Sequence, residues 1–310
     1  MPWTVPSVVA GERLVDHLRS HLVVVARRAV GPLIATGAVT VNGVPGAIAT
    51  PLRGGELVDV DAAAIEALVA KHRAVRPVDA PLTTVHHDTD VIAVDVPHGL
   101  HVAPTGGHGE DAVTTRLLWQ LGARPDHPWA AVRPLPVHRI DRATSGLLLF
   151  ATSPAIAEQL QQAIRAGAMH RTYRAQVEGI VAGVEGVIDA PIGPDPTDGY
   201  RRAVLASDAP GAQAARSHWR VESRSATTTR LTLTLETGRT HQLRVHLAHL
   251  GHPIIDDALY GAATSAGPVD THGDTHLRGA IALRAVGLRF PHPTTGVTVE
   301  LSVSPTPPPL

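Results

Sequence analysis

An aspartate, Asp141, lies between Arg139 and Arg142, directly before a turn of small residues and the apolar run 147–150. Flanking guanidinium groups favour the ionised form of a carboxylate. An ionised carboxylate at the start of a buried strand can act as a nucleophile or a base. The same arrangement suits an ion-paired turn, so the segment by itself predicts either a catalytic or a structural aspartate.

A second polar cluster, residues 236–246, follows a strand pattern and precedes a helical one. Backbone N–H groups are free to bind anions at the start of a helix. Arg239 and Arg244, five residues apart, could pair with a phosphate and a carboxylate at the same time. A charged helix start would explain the same residues, but the density of Arg, His and Gln favours a site.

Tyr173 lies in a third segment, residues 170–179, among His170, Arg171 and Arg174. A lone tyrosine on a strand usually serves packing. Beside a basic cleft it can instead stack on a nucleobase, a contact that contributes about 1–3 kcal/mol. Both interpretations stay open on this segment alone.

Composition limits the class of protein. The 310 residues carry a net charge of −1, so no overall basic field indicates nucleic acid. Lys71 is the one lysine, and the remaining basic residues are arginines, whose planar fork suits phosphates and stacked bases. Compositional bias explains the choice of arginine over lysine, but it does not explain where the arginines cluster.

Several classes of site and location are disfavoured. The chain has no cysteine, which excludes disulfides and thiolate metal sites. The four histidines between residues 241 and 252 lack a carboxylate or cysteine at a zinc spacing, so we expect no metal. We find neither a signal peptide nor an apolar run of about 20 residues, and we therefore expect a cytoplasmic protein without membrane contact.

Periodicity predicts an α+β protein with a mixed or mostly antiparallel central sheet and flanking helices. Residues 1–65 read as a small α/β domain with two helices and an Asn42-Gly43 hairpin, residues 66–80 as a linker, and residues 81–310 as the main domain. In the main domain we expect loops at residues 193–199 and 262–274. The expected helices are 111–121, 153–166 and 242–250, and the expected strands are 91–94, 147–150, 172–179, 231–235, 280–286 and 297–303.

Together the three segments resemble the RluA-type pseudouridine synthase family. Residues 138–146 resemble its His-Arg-Leu-Asp-x-x-Thr-Ser-Gly motif with Ile140 for Leu, and residues 171–179 resemble its Lys-x-Tyr-x-Ala-x-Val-x-Gly motif with Arg171 for Lys. Residues 238–246 and 251–261 resemble the third motif. The resemblance covers about residues 81–304. The small first domain is similar to the S4 RNA-binding domain that often precedes this catalytic domain.

The resemblance implies an enzyme that isomerises uridine to pseudouridine in structured RNA, without metal or cofactor. Asp141 would be the nucleophile or essential carboxylate, Arg244 its ion-pair partner, Tyr173 the residue against the base, and Arg139 the filler of the space left by a flipped nucleotide. Further RNA-binding residues would be His138, Arg142, Arg171, Arg239, His241 and Gln242 in the catalytic domain and Arg27 and Arg28 in the S4-like domain. Arg133 and Arg174 would also line the cleft.

Large-subunit ribosomal RNA is the expected substrate, with transfer RNA as the alternative, and we expect a monomer. Two other functions stay open: a non-catalytic RNA-binding or assembly protein, and a hydrolase that uses Asp141 with His138. Asp95 and Arg284 depart from the family pattern, which usually has lysine and commonly histidine there, and we expect both to alter RNA contacts.

Overall fold

The computed structural model describes residues 2–6, 11–22, 25, 27–71, 78–104, 111–123, 132–261 and 280–305. The chain divides into two compact units. The N-terminal unit comprises Met1–Leu82 and Ala103–Leu135, and the sheet unit comprises Thr83–Val102 and Pro136–Leu310. The expected domain boundary near residue 80 therefore needs a correction, because residues 103–135 return to the N-terminal unit.

The N-terminal unit contains a four-stranded sheet and four helices. Leu14, Leu18 and Leu22 have no exposed surface, so the predicted spacing of four does mark a buried helical face. Asn42 and Gly43 both adopt positive φ, as the predicted hairpin turn requires. The sheet order is β1-β4-β2-β3, with β1 Pro2–Thr4, β2 Val39–Val41, β3 Val44–Pro45 and β4 Leu57–Val60. The helices are α1 Leu14–His21, α2 Val30–Ala35, α3 Ala62–Lys71 and α4 Val113–Gln120, with a 3₁₀ turn at Arg27–Ala29.

The predicted linker 66–80 is wrong at its start, because α3 continues to Lys71. The Asp61 carboxylate accepts the backbone N–H of Ala63 and caps this helix. Its residues are mainly Ala, Leu and Glu, which favour helix over linker. Residues 72–77 of the predicted linker lie outside the described residues.

The sheet unit is built on a ten-stranded mixed sheet, which confirms the predicted fold class. Its main path is β10-β13-β14-β9-β15-β8-β6-β5; β16 pairs with β15, and the two-residue β7 pairs with β8. The pairing of β15 with β8 is parallel, and the other pairs along the main path and the pair β15–β16 are antiparallel. The strands are β5 Thr83–His87, β6 Val91–Val96, β7 Leu135–Pro136, β8 Ser145–Ala151, β9 His170–Glu178, β10 Glu185–Asp189, β13 Arg216–Arg224, β14 Thr228–Leu235, β15 Leu283–Pro291 and β16 Thr298–Ser302. Helices α5 Pro154–Arg165 and α6 Gln242–His249 complete the unit.

The predicted loop 193–199 is wrong. Its residues form a separate two-stranded hairpin, β11 Ile192–Asp195 and β12 Asp198–Val204. Pro194 and Pro196 made the segment read as a loop, but a hairpin outside the main sheet has few ladder hydrogen bonds for proline to interrupt. The other predicted loop, 262–274, lies outside the described residues.

Gly146 fixes the place where the Asp141 segment enters the sheet. Its φ is +113°, and a Cβ at this position would lie 2.0 Å from the carbonyl oxygen of Ala285. Glycine alone tolerates both this conformation and this close approach of β15 to β8. The glycine five residues after Asp141 is thus required by backbone conformation and by the close approach of β15.

Replacing Gly146 with alanine is expected to lower the free energy of unfolding by about 2–4 kcal/mol, since it adds strain and a collision with backbone. Urea denaturation measures the change. Gly167→Ala is the matched control: Gly167 also has positive φ (72°) but open space around its Cβ position, so only the conformational penalty of about 1 kcal/mol applies. Equal losses in the two variants would contradict the collision.

Candidate active site

A cavity of about 300 Å³ opens in the sheet unit beside Asp141. Five parts of the chain form its wall: the segment that carries Asp141, strand β9, the junction between β14 and α6, Leu283 at the start of β15, and the last turns of α5. The last of these was not anticipated from the sequence. The lining includes His138, Arg139, Asp141, Gln161, Ile164, Arg165, Arg171, Tyr173, Arg239, His241 and Gln242.

Arg244 lies beneath Asp141 and is held by another carboxylate. Its Nε and Nη2 donate to the two oxygens of Asp257 at 2.7 and 2.8 Å, whereas its Nη1 lies 3.7 Å from Asp141. The side chains of Arg244 and Asp257 are 3% and 0% exposed, and that of Asp141 is 17% exposed. The predicted Arg244–Asp141 pair is present, but it is the weaker of two contacts, and Asp141 stays open to the cavity.

Asp257 was given no role from the sequence. Its Oδ1 also accepts the backbone N–H groups of Leu259 and Tyr260, so the carboxylate is fixed before it meets Arg244. The sequence did contain an indication of a second carboxylate. A buried arginine needs a carboxylate that makes full hydrogen bonds with it, and an aspartate that must keep an oxygen free for chemistry cannot be that partner. Which of several aspartates supplies it depends on the fold.

Tyr260 joins Arg244 to the cavity wall. The guanidinium carbon of Arg244 lies 5.0 Å from the Tyr260 ring centroid, and Tyr260 Oη lies 2.8 Å from Nδ1 of His241. Burial raises the pKa of Tyr260 to about 12 and lowers the pKa of His241, so a neutral phenol and a neutral imidazole share this hydrogen bond. His241 has φ +58°, a left-handed conformation that directs its ring to the cavity at the start of α6.

Tyr173 lies in the cavity wall on β9 and is 5% exposed. Burial is the largest cause that raises the pKa of its phenol, and the charge of Asp141 raises it further against the opposing charge of Arg171. The phenol is therefore neutral at physiological pH. Arg171 is buried on the same face of β9, and its Nη2 donates to the carbonyl of Thr237 at 3.4 Å.

His138 has an internal role. Its Nε2 accepts the backbone N–H of Leu149 at 3.4 Å, and its Nδ1 is buried without a hydrogen-bond partner among the described residues. Burial lowers its pKa to about 3, and the charge of Arg171 acts in the same direction. The ring is consequently neutral, and it is anchored to β8 through Leu149.

The predicted RNA-binding side chains of the sheet unit differ in availability. Arg139 is exposed at the cavity and makes no hydrogen bond or ion pair with any described residue. Arg239 lines the cavity while its Nε donates to the carbonyl of Ala214. Arg142 does not line the cavity; its Nε donates to the carbonyl of Gly99 and ties the Asp141 segment to that turn.

Gln242 lines the cavity, but its amide is used internally. The oxygen accepts from Thr237 Oγ1 and the Arg239 N–H, and the nitrogen donates to the Arg216 carbonyl and Ser217 Oγ. With both donors and two acceptor positions occupied, the side chain anchors the β14–α6 junction. The sequence alone does not show that the amide of Gln242 already has these hydrogen-bond partners within the protein.

Arg174 lies outside the cavity. Successive side chains on a strand alternate between faces, so Arg174 faces away from Tyr173 and pairs with Glu222 at 2.8 Å. Arg133, Arg27 and Arg28 belong to the N-terminal unit. Arg133 Nη2 donates to the carbonyls of Leu22 and Val25, so it supports that unit internally, while Arg28 is exposed and Arg27 half-buried.

Asp95 and Arg284, the two residues that depart from the family pattern, form an ion pair with each other. Arg284 Nη2 donates to Asp95 Oδ2 at 2.6 Å, and the side chains are 5% and 10% exposed. Arg284 is on β15 and Asp95 on β6, so the pair spans the intervening strand β8. The expectation that both residues alter RNA contacts is corrected, because both side chains are buried in the sheet unit.

Metal-binding clusters and membrane-spanning helices are both missing from the described residues. No group of three or more histidine, aspartate or glutamate side chains is arranged there to hold a metal ion. No helix in that part of the chain is long and apolar enough to cross a membrane.

Comparison with known proteins places the chain in a family. The family model described as RNA pseudouridylate synthase matches residues 90–249. Ribosomal large subunit pseudouridine synthase D of Xanthomonas campestris pv. campestris is 35% identical, over 96% of this chain and 87% of that protein. The Yersinia pestis protein of the same name is 34% identical, over 96% of this chain and 88% of that protein. The chain belongs to the RNA pseudouridylate synthase family, and the resemblance to the RluA type is confirmed.

Solved structures share the fold. Human RNA pseudouridylate synthase domain containing 1 superposes with a TM-score of 0.56 at 22% identity, covering 72% of this chain and 83% of that one. Human RNA pseudouridylate synthase domain containing 4 gives 0.55 at 24% identity, covering 72% and 88%. The ten-stranded sheet unit is thus an RNA pseudouridine synthase fold.

Asp257→Asn is expected to lower the free energy of unfolding by about 3–5 kcal/mol, because it leaves the buried Arg244 charge without its main partner. Chemical denaturation measures the loss. The control is Asp189→Asn, which removes an exposed partner of Arg216 and should change stability little. A similar small loss in Asp257→Asn would show that Arg244 does not depend on this pair.

Because the pKa of His138 is lowered, we expect the folded state to lose stability as the pH falls. The unfolded state takes up a proton near the ordinary histidine pKa of 6.5, whereas the folded state takes it up only near a pKa of about 3. The free energy of unfolding therefore falls as pH is lowered through this window. His138→Gln should lose less stability between about pH 7 and pH 5 than the wild type, as measured by chemical denaturation at each pH. His249→Gln, at an exposed histidine, is the control and should lose stability with falling pH as the wild type does. If the free energy of unfolding of His138→Gln changes with pH as much as that of the wild type, His138 is not the group responsible.

Proposed function

We propose that this enzyme converts uridine to pseudouridine in large-subunit ribosomal RNA, with Asp141 as the essential carboxylate. The observation that carries the proposal is the position of Arg244, which is held by two hydrogen bonds to Asp257 while its Nη1 lies 3.7 Å from Asp141 beside an open cavity. The substrate class rests on relatives whose names specify the ribosomal large subunit. Such a substrate implies action in the cytoplasm, and transfer RNA is the alternative substrate.

The reaction keeps every atom of the base. The bond between ribose C1′ and N1 of uracil breaks, the uracil turns within the site, and a bond between C1′ and C5 forms. C5 loses a proton to solvent, and N1 gains one. The retained uracil is its own second nucleophile, so the chain must supply a charged carboxylate, a confined space and proton transfer.

Arg244 allows Asp141 to remain ionised next to a partly buried cavity. An unpaired carboxylate there would tend to take up a proton, because burial disfavours charge. A bidentate arginine would instead occupy both carboxylate oxygens. Since Asp257 takes the bidentate position, Asp141 receives the field of the cation and keeps an oxygen free for the sugar.

Tyr173 and Arg139 suit a flipped nucleotide. Uridine must leave the base stack before a side chain reaches its glycosidic bond, at a cost of a few kcal/mol. Tyr173 offers an aromatic face in the cavity, and because its phenol is neutral it can serve as a hydrogen-bonding group rather than as a phenolate base. Exposed Arg139, without a described partner, can stack where the nucleotide was.

The two competing functions find less support. A hydrolase would need His138 to activate water beside Asp141, but its Nε2 accepts from Leu149 and its Nδ1 is buried. A non-catalytic RNA-binding protein would not need a buried cation held in place beneath an accessible carboxylate. Both alternatives nevertheless make distinct experimental predictions.

The N-terminal unit is proposed to bind structured RNA as an S4-like domain. Its four-stranded sheet, its helices and the exposed Arg28 beside Arg27 are compatible with this role. Arginines on such a surface contact phosphates without reading sequence. A monomer that needs no metal or cofactor remains our expectation.

Asp141→Asn is expected to abolish release of tritium from RNA labelled at C5 of uridine, because asparagine cannot act as a nucleophile or base. Ribosomal and transfer RNA transcripts are assayed separately, and pseudouridine is located in the product. RNA binding should survive, since the substitution removes one negative charge from a basic cavity. Asp189→Asn is the control with unchanged activity.

Each outcome of this assay has a distinct meaning. Release from ribosomal RNA that disappears in Asp141→Asn supports the proposal, and release from transfer RNA alone would replace the substrate. Binding without release by the wild type would favour the non-catalytic protein. Free uracil in the reaction would favour the hydrolase.

A further inference from the structure

The hairpin β11–β12 stands apart from the main sheet and packs beside the active site. Ile192 on β11 and Val204 on β12 share an apolar cluster with Val245 of α6 and with Tyr260. The backbone N–H of Arg202 donates to Tyr260 Oη at 2.9 Å. Tyr260 also contacts Arg244 and His241, so one buried side chain connects the hairpin to the cavity wall.

The second strand of the hairpin carries a bulge. Pairing passes from Pro194–Arg202 directly to Asp195–Asp198, so residues 199–201 have no opposite partner in β11. The Asp198 carboxylate accepts the backbone N–H of Tyr200 at 2.8 Å and shapes this bulge. A bulge turns side chains away from the ladder, and here it presents Tyr200 and Arg201.

Tyr200 is 69% exposed, which sets it apart from the other aromatic residues that the structure describes. Aromatic residues make up 3% of the sequence, and the other two tyrosines, both phenylalanines and Trp219 are 9% exposed or less. Trp3 and Trp119 are half-buried, so Tyr200 is the one exposed aromatic residue in the described part of the chain. An exposed aromatic ring of this kind can stack on a nucleobase.

Two arginines, Arg201 and Arg202, follow Tyr200 directly in the sequence. The side chain of Arg201 is 42% exposed, reaches Asp195 only at 3.9 Å, and places its guanidinium carbon 5.4 Å from the Tyr260 ring centroid. Arg202 follows directly, and its charge is felt by His241 of the cavity wall. The Asp195 and Asp198 carboxylates already accept turn N–H groups, so the bulge offers an aromatic face with two arginines.

We propose that Tyr200 stacks on a nucleobase that neighbours the target uridine, while Arg201 contacts a nearby phosphate. When the target flips out, its neighbour loses a stacking partner, and an aromatic side chain beside the cavity can replace it. This inference rests on the proposed function, because it needs an RNA substrate at the Asp141 cavity. It adds a contact that helps to choose the sequence context of the modified uridine.

The test compares Tyr200→Ala, Tyr200→Phe and the control Val184→Ala, a substitution of another exposed apolar residue in the sheet unit. The probe is a transcript of large-subunit ribosomal RNA, measured by dissociation constant and by KM and kcat of tritium release. Loss of one base stack predicts a rise of about tenfold in the dissociation constant and KM for Tyr200→Ala, with a smaller change in kcat. Tyr200→Phe keeps the ring and should stay near wild type, as should Val184→Ala.

A substrate with an abasic nucleotide beside the located target separates stacking from a structural effect. The abasic site should weaken binding of the wild type but have little further effect on Tyr200→Ala, because the two changes remove the same contact. Additive losses, or a Tyr200→Ala variant with wild-type binding and KM, would overturn the inference. If the wild type releases no tritium from either RNA class, the proposed function itself fails, which is a separate result.

Discussion

The buried ion pair between Arg244 and Asp257 is the interaction on which the active site depends. Two charges removed from water are tolerated only when their hydrogen bonds are satisfied, and here the carboxylate receives two guanidinium and two backbone N–H groups. Arg244 is thereby fixed independently of Asp141. The carboxylate of Asp141 can then lie beside a permanent cation without being held in a bidentate pair with it. The nearby positive charge favours the ionised carboxylate in a partly buried cavity.

The pair in turn constrains the chain around it. His241 precedes helix α6 in a left-handed conformation, and the first turn of α6 carries Arg244. The segment after α6 returns and brings Asp257 and Tyr260 against Arg244. The ring of Tyr260 packs against the Arg244 guanidinium group, and its hydroxyl is hydrogen-bonded to His241. The hairpin β11–β12 packs on the same side chain, so the hairpin that carries Tyr200 and the cation beside Asp141 share one support.

The sheet explains why equally basic residues have different roles. Strand alternation sends Arg171 and Tyr173 to the cavity and Arg174 to the opposite face, where it pairs with Glu222. Gly146 lets β15 approach β8, and Arg284 and Asp95 close an ion pair across that junction. Arginine in this chain therefore both lines the cavity and supports the sheet unit internally.

The sequence alone determined the α+β class, the helical face of α1, the Asn-Gly hairpin and the three segments that meet at the cavity. Those features follow from local periodicity, turn chemistry and the spacing of charged residues. Burial and pairing were decided only in three dimensions, because they depend on which distant groups approach. Asp257 became the main partner of Arg244, Gln242 became an internal anchor, and Asp95 found Arg284 across β8. Segment 193–199 reads as a loop because of its prolines, but it forms a hairpin, since it lies outside the main sheet and has few ladder hydrogen bonds for proline to interrupt. Only the packing of this hairpin on Tyr260 gives Tyr200 a place beside the site.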